Sequence, residues 1–262
     1  MINERFGRIT ASRYSNIVTG GKTRDSYLID IVLDEIGMKK HFETYATNHG
    51  KHFEESAFNL AKTVFPNIVL QSNQYIPING FCGASPDCVG FIGDDKIVLD
   101  LKCPQEDSFF YYKDINSLNS KNNNYYYQVQ MQILATNAEY GILFFALFKP
   151  MQYFIDQSIY EDYTEEEISL NKKFYYHKIE KNEEIINKIV QNVADSQEEL
   201  AMIRELLKDA LKNNVSIQER MDFYEKGFLF RKFKDYSFRT IYKMKEKVYY
   251  FNEDFYVLKK IN

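Results

Sequence analysis

One run of seven residues, Lys96-Ile97-Val98-Leu99-Asp100-Leu101-Lys102, constrains this chain more than any other. Its apolar, β-branched character reads as a strand. Side chains on a strand alternate between faces, so Asp100 and Lys102 share one face and Leu101 takes the other. Charges at the end of an apolar strand are costly to bury unless they pair with one another or hold a metal. Just upstream, Gly93-Asp94-Asp95 marks a hairpin turn. A hairpin through it brings Asp87, of Ser85-Pro86-Asp87, beside Asp100. Two carboxylates and one ammonium on one patch are what a magnesium-dependent phosphodiesterase needs. Hard oxygens hold one or two Mg²⁺ ions. The ion polarises the phosphodiester and lowers the pKa of a bound water. Lys102 then orients or deprotonates that water, or neutralises charge in the transition state; spacing leaves these roles open. The competing reading of the same residues is a surface ion pair on a hairpin.

The 262 residues have room for one large domain, or a domain with an appendage, and 45% hydrophobic content supplies a core. The net charge of −4 argues against a uniformly basic nucleic-acid binder. It is nevertheless segregated: +4 over Met1–Arg24, −6 over Glu161–Asp209 and +4 over Glu219–Lys247. Two basic regions can therefore face a polyanion while an acidic one stays away. Cys82, Cys88 and Cys103 are odd in number and not paired in spacing, which fits small core residues in a reducing compartment. Met1-Ile2-Asn3-Glu4-Arg5 lacks the apolar segment of a secretory leader, and no run of about 18 apolar residues suggests a membrane span. A cytoplasmic setting, with no membrane partner, is expected.

The periodicity gives an order of elements. A short helix opens at Thr10-Ala11-Ser12 and stops at Gly20-Gly21; further helices are expected from Arg24 to Lys40 and Tyr45 to Phe65. Strands are expected over Ile68–Pro77, Phe81–Ile92 and Lys96–Cys103, then helices near Asp107–Ile115 and Tyr125–Thr136 around an Asn-rich loop. Gly141–Phe148 reads as an apolar strand with Tyr153–Ile159 as a partner. Thr164-Glu165-Glu166-Glu167 fits a capping box opening a charged helical stretch to about Asn213. The end is basic and aromatic, with Val248–Phe251 and Phe255–Leu258 reading as a hairpin. The fold class is α+β: a mixed central β-sheet flanked by helices, with a helical and β-hairpin C-terminal extension. The domain expectation is a core over 1–160 and a C-terminal region over 161–262, packed on that core.

Around the central pair, Glu54 follows Gly50-Lys51-His52-Phe53 on a helix whose other face is apolar, and can supply a further carboxylate; Glu55 reads as solvated. Gln128 and Gln132 share a face of the Tyr125–Thr136 helix and Gln130 does not. An amide there can hold a base or a metal-bound water, although by spacing alone these glutamines read as polar surface.

Five pieces in order resemble the YqaJ-type viral recombinase nucleases, which include the phage lambda exonuclease and belong to the PD-(D/E)xK superfamily. They are Arg5-Phe6-Gly7-Arg8-Ile9-Thr10-Ala11-Ser12, Gly50-Lys51-His52-Phe53-Glu54, Gly83-Ala84-Ser85-Pro86-Asp87, Asp100-Leu101-Lys102-Cys103-Pro104 and Tyr127-Gln128-Val129-Gln130. The resemblance implies a restriction-endonuclease-like core. It implies Glu54, Asp87, Asp100 and the Leu101 carbonyl as metal ligands, Lys102 as catalytic lysine and Gln128 as the site glutamine. It implies Arg5 and Ser12 as ligands of a DNA 5′ phosphate, a role that an arginine fork suits. The cofactor implied is Mg²⁺, with Mn²⁺ substituting. The activity implied is a 5′→3′ exonuclease on double-stranded DNA ends that leaves 3′ single-stranded tails for a strand-annealing partner, in a homotrimeric ring. Two departures stand out: Cys88 follows Ser-Pro-Asp where the family usually has Gly, and Asp100 replaces the commoner Glu. An endonuclease or single-strand nuclease on the same core, and an inactive DNA-end-binding protein, are the competing functions.

Overall fold

The computed structural model describes residues 5, 7–35, 44–70, 74–115, 118, 124–148, 173–212, 221–223, 228–232, 248–251 and 254–260. The expected strand Tyr153–Ile159, the capping box at Thr164 and most of the Asn-rich loop lie outside these residues. In chain order the elements are β1 (Ile9–Thr10), a 3₁₀ turn (Ala11–Arg13), α1 (Ser15–Thr19), α2 (Gly21–Glu35), α3 (Tyr45–Val64), β2 (Ile68–Leu70), β3 (Ile76–Pro77), β4 (Cys82–Ala84), β5 (Cys88–Ile92), β6 (Asp95–Lys102), α4 (Glu106–Tyr111), α5 (Asn124–Thr136), β7 (Tyr140–Ala146), β8 (Phe174–Glu180), α6 (Glu183–Lys212), β9 (Met221–Phe223), β10 (Phe228–Lys232), β11 (Val248–Phe251) and β12 (Asp254–Lys260). The fold is mixed α+β. No helix among the described residues is long and apolar enough to cross a membrane.

The chain divides into two units that do not follow its order: Thr10–Ser15 with Phe42–Ile189, and Met1–Ile9 with Asn16–His41 and Val190–Asn262. The first is built on a five-stranded sheet of order β2-β5-β6-β7-β8. The β5–β6 hairpin turns through Gly93-Asp94, where Gly93 takes φ +61°, a conformation glycine adopts without a Cβ penalty. β6 and β7 are parallel, so they need a crossover, which α4 and α5 supply.

Helices cover both faces. α3 is capped by Thr44, whose hydroxyl accepts the Thr47 N–H at 3.2 Å. Its Phe53, Ala57 and Ala61 recur at one helical spacing and pack with Phe65 on Ile97, Leu99 and Leu101 of β6 and on Ile142 and Phe144 of β7. On the other face Val129 and Ile133 of α5 pack with Val98, Leu143 and Phe145. A Cβ added to Gly141 of β7 would stand 2.2 Å from Val129 Cγ1, so α5 comes closer to the sheet than any side chain there would allow. β6 is thus central, sandwiched and apolar, and its even-numbered residues point at α5.

Two expected strands are shorter than their sequence pattern. Phe81–Ile92 is split into β4 and β5 by Ser85-Pro86-Asp87, because Pro86 lacks the N–H a continuous ladder needs. Ile68–Pro77 is likewise split into β2, on the main sheet, and β3, which pairs with β4. The stretch expected to be helical before Asn213 contains β8, whose aromatic residues Phe174, Tyr175 and Tyr176 complete the edge of β7.

The second unit holds α2, most of α6 and an antiparallel sheet of order β11-β12-β10-β9. Arg24 of α2 is ion-paired with Glu199 of α6 and lies 3.2 Å from Ser196 Oγ. Arg204 binds Glu35 at 2.8 Å and the Gly7 carbonyl at 3.0 Å. Arg24, one of the cations of the basic N-terminal segment, therefore serves the fold.

Candidate active site

The hairpin register sets the site. Cys88 lies opposite Leu99, and the same register carried one residue further places Asp87 opposite Asp100. Asp87 is fixed there by the backbone: its Oδ2 accepts the Leu101 N–H at 2.6 Å. Asp100, 1% exposed, points from β6 toward α5. Its Oδ1 accepts two side-chain amides, Gln128 Nε2 at 2.8 Å and Gln132 Nε2 at 2.7 Å. An aspartate oxygen only accepts when ionised, so both glutamines present their NH₂ groups to it. The Lys102 ammonium lies against the other oxygen, Oδ2, as an ion pair, and stands 5.1 Å from the centroid of the Tyr125 ring.

Glu54, Asp87, Leu101, Lys102, Tyr112 and Tyr125 are among the residues lining a cleft of about 390 Å³. Its electrostatics follow from burial and like charge. Burial, then the Asp100 carboxylate, push Asp87 well above the ordinary carboxylate range, to about 7; Glu54 adds to the rise, while Lys102 and the Leu101 N–H oppose it. For Lys102 burial acts to lower the pKa, but Asp100 and then Asp87 outweigh it and the net shift is upward. Lys102 is therefore an ammonium in this arrangement. The three cysteines are buried. Burial raises the Cys88 thiol, and Asp87, Asp100 and Glu54 raise it further, so it stays protonated and is no thiolate ligand beside the carboxylates.

These residues suit a hard divalent cation. The donors are carboxylate and carbonyl oxygens: Asp87, Glu54 and Leu101 line the cleft, and Asp100 is buried close enough to Asp87 to raise its pKa. Among the described residues no three Asp, Glu, His or Cys side chains converge tightly on one point. Asp100 and, less strongly, Glu54 of α3 nevertheless stand near enough to Asp87 to raise its pKa.

The structure corrects the reading of the glutamines as surface residues. Gln128, Gln130 and Gln132 are all buried. Gln130 serves the fold: its Nε2 donates to the Glu180 carbonyl at 2.8 Å and its Oε1 accepts the Asn182 N–H at 3.0 Å. Gln132 belongs with Gln128. The available signal was the interleaving of these amides with Val129, Met131 and Ile133, because a helix apolar on every side is enclosed on every side. Tyr125 was also missed as a wall of the cleft. Glu55 is exposed. Ser12 is exposed within the 3₁₀ turn, and the carbonyl of Arg5 accepts the Arg8 N–H at 3.3 Å; the two residues fall in different units.

Comparisons with known proteins agree with this fold. The chain resembles the solved alkaline exonuclease LHK-Exo from Laribacter hongkongensis (21% identity, 80% of this chain and 96% of that one, TM-score 0.60). It is comparably similar to a phage-related exonuclease from Haemophilus somnus 129PT (18% identity, 77% and 96%, TM-score 0.61). At these identities the likeness is one of fold. No match was found among curated proteins. The sequence profile of the YqaJ-like viral recombinase domain matches residues 2–139, more than half the chain, and the chain therefore belongs to that family, the nuclease family its five motifs resemble.

Proposed function

We propose that this protein is a Mg²⁺-dependent DNA exonuclease that degrades linear double-stranded DNA from 5′ ends and leaves 3′ single-stranded tails. The observation that carries the reading is the meeting of Asp87, just before β5, with Asp100 and Lys102 of β6, beside a cleft that Asp87, Lys102 and Glu54 line. Glu54, Asp87, Asp100 and the Leu101 carbonyl would hold the cation, with Mn²⁺ substituting. A bound cation would supply the Lewis acid that polarises the phosphodiester and activates water. The chain's own residues do the rest. Gln128 holds Asp100 in one orientation, and the Leu101 N–H does the same for Asp87. Lys102, kept cationic by both aspartates, meets the negative charge of the scissile phosphate.

Polarity and end recognition come from the family resemblance. The Arg5 guanidinium suits the two-pronged binding of a terminal 5′ phosphate, and Ser12 offers an exposed hydroxyl to such a group. LHK-Exo has been solved in complex with dAMP, a 5′-phosphorylated nucleotide. A strand-annealing protein as partner, a homotrimeric ring and the cytoplasm of a phage-infected bacterium complete the proposal.

A time course on end-labelled linear duplex tests it. Expected are digestion only with Mg²⁺ or Mn²⁺, loss of 5′ label before 3′ label, faster attack on phosphorylated than on unphosphorylated 5′ ends, and survival of closed circular DNA. Cleavage of closed circles at the same rate would replace the exonuclease with an endonuclease. Metal-dependent DNA binding with no cleavage would replace it with an end-binding protein.

A further inference from the structure

We infer that Gln132 is a positioning residue for Asp100, and that Asp100 is presented to a cation through Oδ2 alone. The inference rests on Asp100 being a cation ligand. Gln132 and Gln128 stand one turn apart on α5, and both give their amide hydrogens to Oδ1 of Asp100, at 2.7 and 2.8 Å. A carboxylate oxygen has two lone-pair directions, so these two donors fill Oδ1. Oδ2 is left, and the Lys102 ammonium rests against it. Rotating Asp100 to offer both oxygens would break two charge-assisted hydrogen bonds in a buried place. A single-oxygen ligand with Lys102 beside it is the consequence.

The sequence gives this clamp a purpose. Asp100 is one methylene shorter than the Glu common at this place in the family, so its carboxylate stays closer to its own strand and α5 must come nearer to reach it. α5 is held close enough to reach it by the bare Cα of Gly141. Gln132 has a second neighbour: its Nε2 is 3.5 Å from the carbonyl of Ser85, two residues before Asp87. One amide thus touches both segments that carry the aspartates.

The test is calorimetric titration of Mn²⁺ into the full-length metal-free protein, with thermal melting and cleavage rates on the same samples. Gln132→Met keeps the side chain's length and removes its donors. It should remain folded, yet bind Mn²⁺ and cleave DNA about 10–100-fold more weakly, the usual effect of losing a partner of a ligand. On an Asp100→Asn background it should change Mn²⁺ affinity no further. Gln130→Met is the control for simple loss of a buried amide, since among the described residues Gln130 bonds to the backbone of Glu180 and Asn182. It should lower the melting temperature and leave Mn²⁺ affinity at the parent value. Should Gln132→Met not fold, Gln132→Ala, which leaves room for water, takes its place with the same expectations.

Parent-like Mn²⁺ affinity and cleavage in a folded Gln132 variant would overturn the inference, as would equal loss of affinity in the Gln130 variant. Parent-like Mn²⁺ affinity in Asp100→Asn alone is a different result. It would remove Asp100 as a ligand and take both the proposed function and this inference with it.

Discussion

Asp100 is a carboxylate taken out of water, with Gln128, Gln132 and Lys102 packed against its two oxygens. Removing one partner of a buried ion pair leaves the other charge exposed to the apolar interior, at a cost of about 3–5 kcal/mol. Lys102→Ala should therefore do two separable things. Cleavage should fall by about 10³-fold or more, by analogy with the loss of a charge-stabilising group in other sites. The metal-free protein should also melt earlier, because Asp100 keeps its two amides but loses its cation. Mn²⁺ should restore much of that stability without restoring cleavage. Asp87→Asn separates the effects, since Asn still offers an oxygen to the Leu101 N–H; it should lose cleavage and retain the fold. A Lys102→Ala protein with parent activity would remove Lys102 from the chemistry. These two aspartates and Lys102 could be found in the sequence because a strand's alternation and a hairpin's register are short-range rules. For Gln132 the apolar neighbours along α5 signal burial, but its partner is not legible, because which group a buried amide meets depends on what lies across α5.

At the scale of elements, the placement of those amides depends on one packing contact. Gly141→Ala would put a methyl 2.2 Å from Val129 Cγ1, and in a close-packed layer α5 must shift or Val129 must leave its rotamer. The expected loss is about 1–3 kcal/mol, with weaker cleavage because Gln128 and Gln132 ride on the same helix. Adding Val129→Ala makes room for the new methyl, so the double variant should be less destabilised than the sum of the single ones. Strict additivity in denaturant melts would show that the helix does not bear on β7 as described. The same scale shows what sequence periodicity resolves. α3 and β6 carry unbroken patterns and fold where those patterns lie. β4 and β5 share one apolar run, and only Pro86 divides them. β8 hides within a stretch whose charges read as helical, because Phe174, Tyr175 and Tyr176 are strand-favouring residues whose partner, β7, lies far back in the chain. Pairings between distant segments leave no local trace.

For the whole molecule, the aspartate pair makes folding sensitive to pH and to metal. The metal-free fold raises Asp87 to about 7, with burial as the main cause and Asp100 as the next. In the unfolded chain the same group titrates near the ordinary value of about 3.9. Between these values the folded protein holds the extra proton, so stability falls as pH rises through that window and stays low above it. Protonated Asp87 is compatible with the buried site; ionised Asp87 needs a counter-charge beyond Lys102. A divalent cation is such a charge, and it binds only the ionised form. The melting temperature should thus gain more from Mn²⁺ at pH 8 than at pH 5.5. Asp87→Asn should flatten this dependence, and without metal it should be more stable than the parent at pH 8, by on the order of 1–3 kcal/mol. Melts of both proteins at the two pH values, with and without Mn²⁺, check each statement. An equal Mn²⁺ effect at both pH values, or a parent whose stability rises from pH 5.5 to 8 without metal, would mean that Asp87 does not carry the charge conflict. The prediction belongs to the whole molecule because a single ionisation buried between two strands shifts the free energy of the entire cooperative unit that encloses it.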